Sequence, residues 1–80
     1  MKWKWTDHVV FQMKERNIQR NYVEKTLSKP DEIVESKNGR KIYQKIFNKR
    51  LLRVIVEDNK VITAYFTTKI SKYFFGGENK

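Results

Sequence analysis

The residues of this sequence that could do chemistry are one histidine, a few cations and several hydroxyl groups. Histidine is the side-chain type that most readily gains and loses a proton near neutral pH, and His8 is the only one in the chain. Metal-free cleavage of RNA requires a base for the 2′-hydroxyl, cations for the charge on the transition-state phosphate, and an acid for the 5′-oxygen. The side chains able to fill these roles are His8, Tyr43, Lys45, Arg53, Thr63 and Tyr65. The set is generic, since any basic strand face with tyrosines would contain it.

Positive charge is the strongest signal in the composition. Eighteen Lys and Arg residues stand against nine Asp and Glu, a net charge of +9. Between Ser36 and Val56 there is no acidic residue, and the basic ones are Lys37, Arg40, Lys41, Lys45, Lys49, Arg50 and Arg53. Such a segment favours a polyanion, with an acidic protein partner or plain solubility as alternatives. The candidate nucleic-acid-binding residues are Arg16, Lys41, Tyr43, Lys49, Arg50 and Tyr65.

His8 and Arg16 also have structural interpretations. A lone histidine at the edge of an apolar helix stripe more often caps the core than catalyses a reaction. Arg16 falls within the same stripe when the residues are placed on a helix. An arginine directed at the core needs a partner, such as Glu32, Glu35, a backbone carbonyl or a bound phosphate. Structural anchoring is the more common outcome for such an arginine.

Several chemistries are excluded by the inventory. The chain has no cysteine and one histidine, which argues against disulfides and against zinc sites. No Gly-rich loop could hold a nucleotide, and Asp31-Glu32 is more often a strand start than a magnesium site. We therefore expect no cofactor and no metal. No signal peptide and no membrane-spanning apolar run is present, so we expect a cytoplasmic protein.

The first part of the chain reads as two helices. Thr6 can cap the first, with Trp5, Val9 and Met13 on one stripe at four-residue spacing. A second helix is predicted from about residue 19 to residue 28. Pro30 forces it to stop there.

After the proline, the period changes to that of β-strands. The predicted strands cover residues 32–35, 40–47, 51–57 and 61–67, and their short connections favour antiparallel pairing. Residues 69–75 are expected to form a helical turn or an irregular segment that packs on the body, and residues 76–80 to fray. The prediction is a single α+β domain over residues 1–80. Two N-terminal helices would cover one face of a three- to four-stranded antiparallel meander and leave the other face open.

The alternation also predicts which residues share a sheet face. The covered face is expected to carry Leu52, Val54, Val56, Ile62, Ala64 and Phe66. Arg53, Thr63 and Tyr65 would then lie on the other face. The strand over residues 40–47 fits two registers, and only one of them brings Tyr43 and Lys45 onto the face of Arg53.

Short motifs follow one another along nearly the whole chain. They are Thr6-Asp7-His8, Arg16-Asn17-Ile18, Leu27-Ser28-Lys29-Pro30, Tyr43-Gln44-Lys45, Leu52-Arg53-Val54-Ile55-Val56, Val61-Ile62-Thr63-Ala64-Tyr65 and Thr68-Lys69-Ile70-Ser71-Lys72-Tyr73. This order resembles a widespread family of small bacterial and archaeal proteins of unknown function. The family is similar in turn to the RelE/ParE-like toxin fold, in the group that contains barnase-like and colicin-type RNases.

The resemblance implies metal-independent cleavage of RNA, such as ribosome-bound mRNA or tRNA. By position, it implies His8, Lys45, Arg53 and Thr63 as catalytic residues. Gln12 stands where relatives often carry an arginine. If that arginine contacts phosphate in the relatives, Gln12 predicts weaker or absent activity here.

Two functions remain open at this point. One is a toxin-like endoribonuclease, paired with an antitoxin whose acidic segment covers the basic face. The other is a noncatalytic module that binds RNA, DNA or a protein through the same face. ParE-like members of the fold poison gyrase instead of cutting RNA, so the fold does not decide between them.

Overall fold

The computed structural model describes residues 3–36 and 38–74 and shows a helix-covered sheet. The strands are β1 (Lys4–Trp5), β2 (Glu32–Glu35), β3 (Arg40–Phe47), β4 (Arg50–Glu57) and β5 (Lys60–Thr67), and the helices are α1 (Asp7–Glu15), α2 (Arg20–Ser28) and α3 (Ile70–Tyr73). The sheet order is β1-β5-β4-β3-β2. Only β1 pairs in parallel, with the start of β5. The predicted α+β class and antiparallel meander are confirmed, and β1 is an addition that the sequence pattern did not indicate. The predicted frayed end, residues 76–80, lies outside the described residues, as do Lys37 and Phe75.

Both main helices begin and end for local reasons. The Thr6 hydroxyl accepts a hydrogen bond from the backbone N–H of Val9 at 3.2 Å, which caps α1. Asn17 has a φ of 57° and turns the chain out of α1, since asparagine tolerates the left-handed region. The second helix ends at Ser28, two residues before Pro30. The predicted helices are thus confirmed to within a residue or two.

The core lies between these helices and one face of the sheet. Its buried residues are Val9, Met13, Ile18, Val23 and Leu27 from the helical half and Leu52, Val54, Val56, Val61 and Ala64 from the sheet. The pairing of β4 with β5 shifts by one residue between Ile55 and Val56. Ile55 pairs with Thr63 and Val56 pairs with Val61, so Ile62 is the extra residue of a β-bulge in β5. Because of this bulge, Val61 is fully buried and Ile62 is only half-buried. The expectation that Ile62 belongs to the covered face was therefore wrong, and the bulged residue is the reason.

The register of β3 separates residues that could have shared a site. Tyr43 pairs with Val54, and Lys45 pairs with Leu52. Cross-strand partners lie on the same face of a sheet, so Tyr43 and Lys45 are on the helix-covered side. Arg53 pairs instead with Gln44 and lies on the second face. Of the two registers that fit the sequence, the structure has the one that removes Tyr43 and Lys45 from the face of Arg53.

The second face of the sheet is not open, contrary to the sequence prediction. Of the two forms that the sequence allowed for the tail, the structure has the helical turn, α3, and its Tyr73 carbonyl accepts a hydrogen bond from the Gln44 amide at 3.1 Å. Both Gln44 and Leu51, which lies on the same face as Arg53, have no exposed surface. The four-residue helix α3 therefore covers part of this second face, whereas α1 and α2 pack on the core side.

Candidate nucleic-acid interface

Helix α1 lies along the edge of β5 and bonds to it through side chains. β1 pairs only with Lys60 and Val61, so no described strand continues along the rest of that edge. The Thr6 hydroxyl donates to the Val61 carbonyl at 2.8 Å, and Arg16 Nη1 donates to the Ala64 carbonyl at 2.9 Å. Unpaired strand edges are usually covered or charged in natural proteins. Of the partners that the sequence suggested for Arg16, the structure thus has a backbone carbonyl.

A chain of hydrogen bonds links the histidine to this edge. His8 Nε2 lies 2.9 Å from Gln12 Nε2. An amide nitrogen can only donate, so the imidazole accepts through Nε2, and a neutral ring carries its proton on Nδ1. The Gln12 amide oxygen accepts a hydrogen bond from the Thr63 hydroxyl. His8 itself is exposed, which excludes the interpretation that it caps the core.

Arg53 is held on the second face by several partners. Its Nε donates to Gln44 Oε1 at 2.7 Å, and its Nη1 donates to the Tyr65 hydroxyl. The guanidinium also lies 4.1 Å from the centroid of the Tyr73 ring, a distance at which a cation and an aromatic face attract each other. Arg53 therefore has a fixed position, with Tyr65 as its link to the β5 edge.

Gln44 organises the interior of this second face. It has no exposed surface, and its amide nitrogen donates to Glu32 Oε1 at 2.8 Å as well as to the Tyr73 carbonyl. Its oxygen accepts from Arg53. Every polar group of this buried amide is thus occupied, as burial of such a group requires. This role could not be predicted from the sequence, because Gln44 shares a sheet face with Arg53 in only one of the two registers that fit β3.

An open cavity of about 390 Å³ lies where β5 meets the end of α1. Its lining residues are Arg16, Ile18, Arg50, Tyr65 and Phe66, and no described carboxylate is among them. The Arg50 guanidinium lies 4.0 Å from the centroid of the Phe66 ring. We call Arg16, Arg50, Arg53 and Tyr65 the arginine cluster, because Tyr65 both lines this cavity and accepts from Arg53.

The arginines of the arginine cluster form no ion pair with the carboxylates that the structure describes. The chain has five arginines, and two of them form ion pairs: Arg20 with Glu24 at 2.9 Å, and Arg40 with Glu57 at 3.3 Å. Within residues 3–36 and 38–74, the remaining three arginines, all in the cluster, form none. Guanidinium groups stay protonated in proteins. No carboxylate in the described part of the chain therefore forms an ion pair with the positive charge at this edge.

Not all predicted site residues reach the β5 edge. Lys45 lies on the helix-covered side, where its ammonium is 3.0 Å from the Lys29 carbonyl and 3.5 Å from Asp31. Tyr43 packs edge-to-face against Trp3 on the same side. The structure thus brings neither residue to Arg53 or Thr63.

The predicted basic residues of β3 and its turn are split between two ends of the sheet. Lys41 pairs with Glu35 near the start of β3, whereas Lys49 lies in the turn immediately before Arg50. At about 3.4 Å per residue, the length of β3 places Lys41 on the order of 20 Å from that turn. Of the predicted residues, the β5 edge therefore gathers His8, Arg16, Thr63, Tyr65, Arg50 and Arg53, with Lys49 beside them.

Nowhere in the described part of the chain do three His, Cys, Asp or Glu side chains come together in a way that could hold a metal ion. None of the described helices has the length and apolarity to cross a membrane.

The fold and the edge define a small α+β domain with a basic, helix-covered sheet edge. Residues 5–66 match the model of a family described as Domain of unknown function (DUF4258). The match covers well over half of the chain, so the protein belongs to this family. It spans the whole arginine cluster and the His8–Gln12–Thr63 chain, and it ends before α3. No curated protein matches the chain, and neither does any solved structure.

Proposed function

We propose that the protein binds RNA through the β5 edge, with the arginine cluster contacting the phosphates. The observation that supports this most concerns the ion pairs among the described residues: Arg20 and Arg40 each form one, whereas Arg16, Arg50 and Arg53 form none with any carboxylate in residues 3–36 and 38–74. A planar guanidinium can hold two phosphate oxygens at once. The net charge of +9 adds long-range attraction to a polyanion.

The hydrogen bonds of the cluster favour a preorganised site. Arg16 is fixed through Nη1 to the Ala64 carbonyl, so its other N–H groups can point at a ligand. Tyr65 accepts a hydrogen bond from Arg53, which leaves the phenolic hydrogen to donate to a phosphate oxygen. Arg50 is exposed and stacked on Phe66, where it loses little freedom on binding. Preorganisation of this kind lowers the entropic cost of association.

The test is binding of a fluorescent single-stranded RNA over a range of salt concentrations. Each phosphate contact contributes about 0.7 to the slope of log affinity against log salt for single strands. Arg50→Gln is expected to weaken binding several-fold and to reduce that slope by about 0.7. The matched control is Arg40→Gln, because Arg40 is exposed but already paired with Glu57. Equal losses in the two variants would mean that only total charge matters, and the proposed site would be wrong.

Metal-independent cleavage of RNA is a second, finer proposal, which the position of His8 favours. His8 is exposed and is connected through Gln12 to Thr63 on the strand that carries Tyr65. If the RNA displaces the Gln12 amide from Nε2, a neutral imidazole would accept the 2′-hydroxyl proton at that nitrogen, and the arginines would stabilise the charge on the phosphate. Lys45 has no part in this proposal, since its ammonium is held by the Lys29 carbonyl and Asp31, away from the β5 edge. The protein would then act as a RelE/ParE-like cytoplasmic toxin, with an acidic antitoxin segment covering the β5 edge.

Incubation with RNA in EDTA tests the cleavage proposal. Cleavage that leaves 2′,3′-cyclic phosphates, and that falls at least 100-fold in His8→Ala, would support general acid–base catalysis. Arg40→Ala serves as the control for charge. If several RNAs and ribosomes bind but stay intact, the protein is a noncatalytic module of the same fold.

A further inference from the structure

A second and larger groove lies on the helix-covered side of the sheet. It has a volume of about 720 Å³, and its lining residues are Trp3, Trp5, Arg20, Glu24, Leu27, Ser28 and Tyr43. Grooves that bind small ligands usually measure about 300–1,000 Å³ and combine aromatic walls with a few polar groups. We call this the aromatic groove. The proposal for the β5 edge uses none of these residues.

The walls of the groove are aromatic rings that the core only partly covers. Trp3 and Tyr43 meet edge-to-face, with centroids 5.5 Å apart and planes at 82°. Trp3, Trp5 and Tyr43 are each half-buried and pack against the core. Leaving part of a large aromatic ring in water costs free energy, and three such partly exposed rings surround this one groove. Both tryptophans of the chain lie here.

The polar rim of the groove differs from the arginine cluster in its charge. Arg20 lies 4.2 Å from the centroid of Trp5 and donates to Glu24 Oε2 at 2.9 Å. The carboxylate thereby neutralises the guanidinium, so this rim is a poor site for a phosphate. It offers instead a donor group and an acceptor oxygen side by side. That combination suits the edge of a nucleobase, which also presents donors and acceptors together.

The two sites flank the same end of α2. Ile18 lines the cavity of the arginine cluster, and Arg20 lines the aromatic groove. Two residues span at most about 7 Å of chain. A short stretch of single-stranded RNA that crosses this connection could therefore place a phosphate in one site and a base in the other.

We propose that the aromatic groove binds a nucleobase, which stacks on the exposed ring faces while Glu24 accepts its N–H groups. The inference deepens the proposed RNA binding and rests on it. Base–aromatic stacking tolerates any base, because every base has a π-face. The groove thus gives the protein contact with single-stranded RNA, whose bases are free to leave a helix.

Intrinsic tryptophan fluorescence tests this directly, because both tryptophans line the groove. The four nucleoside monophosphates are titrated with excitation at the red edge of tryptophan absorption, and ribose 5-phosphate is the control without a base. Saturable quenching by the nucleotides, with none by ribose 5-phosphate, is the expected result. Equal quenching by ribose 5-phosphate, or no quenching by any nucleotide, would overturn the inference. So would equally strong quenching by a capped phenylalanine amide, which would indicate a peptide site.

Two variants separate this inference from the proposed phosphate site. Ser28→Phe places a ring at an exposed position on the rim of the groove and is expected to reduce nucleotide quenching at least five-fold. Arg50→Gln is expected to weaken RNA binding, while quenching by adenosine, a nucleoside without a phosphate, stays as in the wild type. If nucleotide quenching survives Ser28→Phe, with the fold intact by circular dichroism, the groove is not the site. If Arg50→Gln binds RNA as tightly as the wild type, the proposed phosphate site is wrong. The proposed base site in the groove is then judged by the quenching data alone.

Discussion

Replacing Gln44 tests whether the second sheet face is held together by a single buried amide. In Gln44→Leu, the Arg53 Nε, the Glu32 carboxylate and the Tyr73 carbonyl each lose a partner. A hydrogen bond to a charged group contributes about 1.5–3 kcal/mol to stability, and a buried polar group that loses a partner adds a desolvation penalty. Because Arg53 and Glu32 keep some access to water, we expect a loss of about 2–4 kcal/mol in the free energy of unfolding.

That loss is large for a domain of this size. A stability of about 0.05–0.15 kcal/mol per residue gives a total of roughly 4–12 kcal/mol for 80 residues. At about 4–8 °C per kcal/mol, the melting temperature should fall by roughly 10–30 °C. Urea unfolding followed by circular dichroism measures the free energy, and a thermal scan measures the shift.

The matched control makes the same chemical change at an exposed position. Gln19 precedes α2 and makes no capping hydrogen bond with its side chain, so Gln19→Leu should stay within about 0.5 kcal/mol of the wild type. A double-mutant cycle with Arg53→Met should give a coupling energy of at least about 1 kcal/mol. If Gln44→Leu is as stable as Gln19→Leu, the amide does not anchor Arg53, and the reasoning about the second face is refuted.

Two further predictions concern the helix ends that position the β5 edge. Thr6→Ala removes both the cap of α1 and the bond to the Val61 carbonyl, so urea unfolding should show a loss of about 1–2 kcal/mol. The exposed Thr68→Ala should cost less than about 0.5 kcal/mol, and similar losses in both variants would contradict the capping role. Asn17 has a φ of 57°, so Asn17→Ala should lower stability by about 1 kcal/mol and Asn17→Gly by much less. Equal unfolding free energies for the two Asn17 variants would show that backbone strain is not the cause.

The helices could be predicted from the sequence because their signals are local. Thr6 and Pro30 act on the few residues beside them, so their effects do not depend on the rest of the fold. The alternation after Pro30 predicted the meander for the same reason. These signals sufficed for the fold class and for the helix-covered core.

The site depended on features that a single sequence does not determine. The alternation along β3 fits two registers. Only the pairing with β4 decides whether Tyr43 or Gln44 lies on the sheet face of Arg53. Because of the bulge, Val61 and not Ile62 lies on the core side of β5. Nothing in a run of β-branched residues marks where a bulge occurs. The contacts of α3 with the second face join residues far apart in the chain, so the prediction of an open face failed.

The arrangement at the β5 edge connects the stability of the fold to its proposed function. A sheet with one short terminal strand leaves backbone groups unpaired, and the protein covers them with the polar side chains that cap the two ends of α1 instead of a further strand. An arginine used in this way is fixed by one N–H and presents the others to solvent. The same contact therefore protects the edge and orients a cation. Removing Arg16 is therefore expected to lower both the free energy of unfolding and the affinity for RNA. Removing Arg50, which contacts Phe66 but covers no backbone group of the edge, should lower the affinity with a smaller loss of stability.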